Sequence, residues 1–143
     1  MRFKSLLFSL FLALQAGLPT VVSAAGECGV CGGPISETSN LFVITDERGW
    51  EQRFGCPGCG LSELARLGPG SRYTVQAQDF LTRTMVDGVN AWYVRGSEIG
   101  FCCAPFWLSF AVEEQAVKFS KAFGGEVLSF EKALEQAAAD HQH

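Results

Sequence analysis

An α+β fold, with one domain containing a duplicated ββαβ-like unit behind an export signal, is what this sequence predicts. Three observations predict it. A strand–turn–strand pattern followed by a helix and a further strand occurs twice. Each copy carries cysteines. The N-terminus has the charge and apolar profile of a secretory leader.

The leader comes first in the chain. Arg2 and Lys4 form a short positive region, Leu6 to Ala16 is apolar apart from Ser9 and Gln15, and Val22-Ser23-Ala24 supplies small residues at a cleavage spacing. This reads as a signal peptide over 1–24, cleaved near Ala24/Ala25, and too short for an ordinary membrane span. Glu27 rather than a small-residue box precedes Cys28, so the pattern is not that of a lipoprotein. The expected location is the periplasm or another exported compartment. The formal charge is −4, and it falls further once the two basic residues of the leader are gone. An acidic chain without a basic cluster argues against a nucleic-acid partner. No later apolar run is long enough to span a membrane.

The remaining residues, 25–143, are enough for one cored domain. Residues 25–40 read as irregular. Leu41 to Thr45 is a β-type run, Asp46-Glu47-Arg48-Gly49 a turn, and Trp50, Gln52 and Phe54 alternate with charged residues, which makes a hairpin. Cys56 to Leu67 reads as a loop entering a helix stopped at Gly68-Pro69-Gly70. Tyr73, Val75 and Ala77 alternate as a strand with one wet face. The second copy starts with a strand at Asn90–Val94 and a turn at Arg95–Glu98. Ile99–Phe101 then leads to more cysteines. Val112, Ala116, Phe119 and Phe123 mark one helical face, with Glu114 placed to pair with Lys118. Gly124-Gly125 ends that helix, Val127-Leu128 starts a strand, and Phe130–Ala139 reads as a terminal helix. The pseudo-repeats span about 41–80 and 90–130. Aligning Phe54–Cys59 with Ile99–Cys103 puts a cysteine site at each strand-to-helix turn.

All six cysteines follow the leader. Cys28-x-x-Cys31-Gly and Cys56-Pro-x-Cys59-Gly have the form of two metal knuckles, in which two thiolates converge while glycine lets amides face the sulfurs. Cys102-Cys103 is a vicinal pair, able to close a strained disulfide, pair at a distance, or hold a soft ion. An even cysteine count in an exported chain also suits structural disulfides, and thiol redox chemistry is a third reading. The metal reading takes Cys28, Cys31, Cys56, Cys59, Cys102 and Cys103 as ligands for Cu(I), with Zn(II) as the alternative. Other chemistry has little to stand on. His141 and His143, the only histidines, read as a frayed tail, which leaves no general base inside the fold. Met85 alone cannot make a Met-rich copper site. Trp50, Trp92 and Trp107 read as core or cleft walls, and Asp79 and Asp87 as strand-end caps.

These residues resemble the NosL family, copper-binding accessory proteins for nitrous oxide reductase. The resemblance runs from Cys28-x-x-Cys31-Gly32 through Asp79-Phe80, Thr82, Asp87-Gly88 and Ala91-Trp92-Tyr93-Val94. It continues through Gly96-Ser97, Ser109-Phe110, Ala116, Phe119 and Gly124–Phe130. It implies a duplicated α+β fold related to organomercurial lyase, a metal-delivery function, a copper ion and a client metalloenzyme. Two departures stand out. Gly33 and Cys103 occupy positions where the family pattern has methionine, and Cys56, Cys59 and Cys102 are additional thiols. Exchanging thioethers for thiolates favours tighter binding and admits Zn(II) beside Cu(I). The expected function is therefore an exported, non-enzymatic Cu(I) chaperone or metal sensor. The alternatives are a structural zinc-ribbon module that binds another protein, and a thiol enzyme, either a disulfide oxidoreductase or a lyase of mercurials with Asp79 or Asp87 as proton donor.

Overall fold

The computed structural model describes residues 26–70 and 72–140. The leader, His141 and His143 lie outside them. The first copy of the repeat is built as its alternation dictates. Strands β3 (Phe42–Asp46) and β4 (Glu51–Phe54) form an antiparallel hairpin, with Ile44 opposite Gln52. Helix α1 (Pro57–Leu67) follows, and β5 (Tyr73–Gln78) returns antiparallel to β3. The second copy repeats this order: β7 (Trp92–Arg95), β8 (Trp107–Phe110), α2 (Glu113–Phe123) and β9 (Glu126–Leu128), with β9 back beside β7. In both, the first strand is central and the third pairs on its free edge. The two sheets run β4-β3-β5-β6 and β8-β7-β9, where β6 is Met85–Asp87.

Both repeat helices stop where glycine permits a positive φ that a side chain resists: Gly68 at 75° and Gly124 at 74°. The exposed Glu114–Lys118 pair closes at 2.6 Å on α2. The terminal helix α3 (Phe130–Asp140) packs on α1, and α1 also lies against β3 and β8, so it bridges the sheets. Ala116 and Phe119 of α2 bury against Val94, Leu108 and Phe110. Among the described residues, no helix is long and apolar enough to cross a membrane.

Three local expectations change. The return strand of the second hairpin is Trp107–Phe110 rather than Ile99–Phe101. All four of its residues are buried, so it has no polar–apolar alternation to read. The vicinal cysteines consequently sit in the long β7–β8 connection and not at a strand-to-helix turn. Finally, residues 25–40 contain a small ribbon of β1 (Gly26–Glu27) and β2 (Pro34–Ile35) that brackets Cys28 and Cys31. The tryptophans divide as read between core and cleft: Trp107 is buried, and Trp50, 61% exposed, lines a surface cleft with Ile44 and Tyr73.

The seam between the sheets is polar, with Asn40, Asp79 and Ser109 fully buried in it. Asn40 Oδ1 accepts from the Ser109 amide (2.8 Å) and hydroxyl (3.2 Å), and its Nδ2 donates to Gln78 O (2.6 Å). Asp79 accepts at Oδ2 from the Thr82 amide and hydroxyl, and at Oδ1 from the Ala111 amide at 2.9 Å. Asp87 closes an Asx turn onto the Val89 amide and also accepts from the Asn90 side chain. Both aspartates are therefore caps.

Candidate metal centre

The cysteines reach one place from three directions. Cys28 and Cys31 come from the β1–β2 ribbon. Cys56 is the N-cap of α1 and Cys59 lies in its first turn. Cys102 and Cys103 come from the β7–β8 connection. The first turn of α1 can lie this close because its glycines lack Cβ atoms. A Cβ on Gly58 would stand 2.4 Å from the Trp107 ring, and one on Gly60 would stand 2.0 Å from the Phe42 ring. The glycines of the knuckle thus serve packing as well as amide access. Gly60→Ala is expected to cost about 1–3 kcal/mol through this overpacking, read as a lowered melting temperature of the metal-free protein.

The sulfur atoms of Cys31, Cys59, Cys102 and Cys103 all lie within 4.8 Å of one another. Cys31 to Cys102 is 3.4 Å, Cys102 to Cys103 is 3.5 Å, and Cys59 to Cys103 is 4.0 Å. A metal–sulfur distance of about 2.3 Å requires sulfurs about 3.8 Å apart in a tetrahedron and about 4.0 Å in a trigonal plane. The observed separations, from 3.4 Å up to 4.8 Å, bracket both values. The group takes one cysteine from each Cys-x-x-Cys and both of the vicinal pair, which is not the set a zinc ribbon would use. Cys28 and Cys56 are buried in the same cluster as Cys59 and interact with its thiol. All six thiols are free.

Electrostatics divide the six. The Cys59 thiol donates to Cys28 and, outweighing burial, holds it as a thiolate with a pKa of about 4, helped by the amides of Cys31, Gly55 and Val30. Cys56 is lowered to about 6, first by Cys59 and then, against burial, by the amides of Cys59 and Cys103 and the Cys102 thiol. As the donor to both, Cys59 is pushed up. Burial pushes up Cys102 and Cys103. A group of thiols with two members lowered in this way could hold a soft cation.

Cys31 is exposed, Cys102 and Cys103 are half-buried, and Cys28, Cys56 and Cys59 are 3%, 3% and 0% exposed. A cavity of about 100 Å³ lies against Cys56, Cys59 and Cys103, with Trp107 and Asp140 in its wall. Asp140 is held by Arg95 Nε at 2.9 Å and by Trp107 Nε1 at 3.3 Å. Nothing in the sequence marked Asp140, because an acid at the end of a terminal helix carries no periodic or motif signal. A larger groove of about 510 Å³ between α1 and α3 is lined by residues such as Leu64, Val75, Phe130 and Leu134, and contains no cysteine.

Comparison with known structures decides the fold. The crystal structure of the copper chaperone NosL from Shewanella denitrificans superposes with a TM-score of 0.68, covering 77% of this chain and 90% of that one at 21% identity. The fold is NosL-like. The HTH-type transcriptional repressor CutR of Bacillus subtilis is 30% identical over 116 residues, which are 80% of this chain. The chain spans 60% of the length of that repressor. No protein-family model matches. On this NosL-like frame the cysteines, rather than any acid–base pair, form the chemically distinctive group.

Proposed function

We propose that the chain is an exported accessory protein that carries Cu(I) on cysteine thiolates and passes it to a client metalloprotein. One observation carries this reading: four sulfurs from three separate segments lie at metal-ligating separations on a fold shared with a copper chaperone. Thiolates select Cu(I) and Zn(II) over the harder ions. Delivery needs a ligand that an acceptor can reach, and Cys31 is exposed at the rim of the group. Export rests on the leader read in residues 1–24. Nothing about the centre requires turnover. Asp79, the nearest thing to a proton donor, has both oxygens engaged by backbone and hydroxyl donors.

Purification without oxygen, followed by elemental analysis and intact mass, tests the reading. Stoichiometric copper is expected, abolished when Cys31, Cys59, Cys102 and Cys103 are together replaced by serine. Metal-free protein with three intact disulfides would sink it. A second reading, metal sensing, is favoured by the likeness to a transcriptional repressor. The same centre would then hold the ion as a signal. A carrier releases Cu(I) to an acceptor thiol far faster than it loses it to buffer, whereas a sensor shows no such acceleration.

A further inference from the structure

Four sulfurs complete one metal site, and this protein brings six together. The surplus pair is arranged. Cys31, Cys102 and Cys103 form a triangle at the rim, with Cys31–Cys102 at 3.4 Å, Cys102–Cys103 at 3.5 Å, and Cys103 also engaging Cys31. Cys28 and Cys56 each interact with Cys59 behind that rim, and all three are almost wholly buried in one cluster. Two contacts join the layers: Cys59–Cys103 at 4.0 Å, and Cys56–Cys102. A single ion takes at most four of these thiols. Cys28 and Cys56, both buried, would then be left beside a ligand already in use and with no ion of their own. Thiolate sulfur has lone pairs enough to bridge two ions, and Cys59 and Cys102 stand where bridges between the layers would be.

We infer that the six cysteines hold a thiolate-bridged Cu(I) cluster of at least two ions, with Cys28, Cys56 and Cys59 as its buried inner face and Cys31, Cys102 and Cys103 as its outer one. Each ion enters as Cu(I), and each thiol that becomes a ligand releases one proton; no electron is exchanged. The outer face is the route of entry, because the inner sulfurs are covered. This rests on the Cu(I) reading above, but adds a stoichiometry and a role for Cys28 and Cys56 that a single-ion carrier does not need.

The test is an anaerobic titration of the chain with the Cu(I)–acetonitrile complex, followed by native mass spectrometry and by the luminescence typical of water-shielded Cu(I)–thiolate clusters. Two or more copper ions per chain are expected, with emission appearing as the second ion enters. The Cys28→Ser/Cys56→Ser double variant should fall to one ion, lose the emission and keep its circular dichroism. Saturation of the parent chain at one ion overturns the cluster while leaving the carrier reading intact. Absence of any copper uptake overturns both. If the double variant loses its helical signal, X-ray absorption of the loaded parent chain decides: a short Cu–Cu scattering path supports the cluster and its absence overturns it.

Discussion

Cys59→Ser is expected to lower Cu(I) affinity at least about 100-fold, more than substitution of any other single cysteine. Loss of a group that merely supports a ligand typically costs about 10–100-fold, and Cys59 is itself one of the four clustered sulfurs. It is also the thiol that engages Cys28, Cys56 and Cys103. Serine preserves the size of the side chain in the first turn of α1 but presents a hard oxygen to a soft ion. Competition against a Cu(I) chelator of known affinity, without oxygen, measures the change. Cys31→Ser should cost less, because Cys31 is exposed and lies at the edge of the group. Equal losses for the two variants would show that Cys59 is not the centre of the sulfur network. An unchanged affinity for Cys59→Ser would remove it from the ligand set.

The parts of this arrangement that sequence exposes are those with a period or a stop signal. The Leu41–Phe54 hairpin alternates around a turn closed by Gly49. α1 and α2 carry one apolar face each and end at Gly68 and Gly124, so the ββαβ order of both copies is readable. The β7–β8 connection is not. Trp107–Phe110 is buried on both sides and looks like any short apolar run, while Ile99–Phe101 mimics a strand before a cysteine turn. That misplacement hides which of the six sulfurs meet: the structure groups Cys31, Cys59, Cys102 and Cys103. Spacing within Cys28-x-x-Cys31 and Cys56-Pro-x-Cys59 reports local turns. Which sulfurs meet across the molecule depends on the packing of α1 against Trp107 and Phe42, a long-range fact that no spacing encodes. The seam is invisible for the same reason. Asn40 has no motif around it, and its partner Ser109 lies 69 residues away.

Asp79→Ala is expected to destabilise the protein by about 3 kcal/mol, a fall in melting temperature on the order of 10 °C for a domain of this size. The carboxylate is fully buried and accepts from two backbone amides, those of Thr82 and Ala111, on opposite sides of the sheet seam. Alanine leaves both amides without the acceptor that joins them, and each such orphan costs about 1–3 kcal/mol. Asn40→Leu should act in the same direction, because it strips the Ser109 amide of its partner. The seam ties β5 to the end of β8, and β8 follows directly on the connection that carries Cys102 and Cys103. The aspartate therefore belongs to the frame that holds the outer sulfurs against α1. If that is its whole role, the folded Asp79→Ala variant still takes up the parent amount of Cu(I), and the ion raises the melting temperature of both proteins because it binds only the folded chain. A variant that melts within a degree or two of the parent would show that the seam does not hold the sheets together. A variant that melts normally but loses copper would move Asp79 from the frame into the metal chemistry.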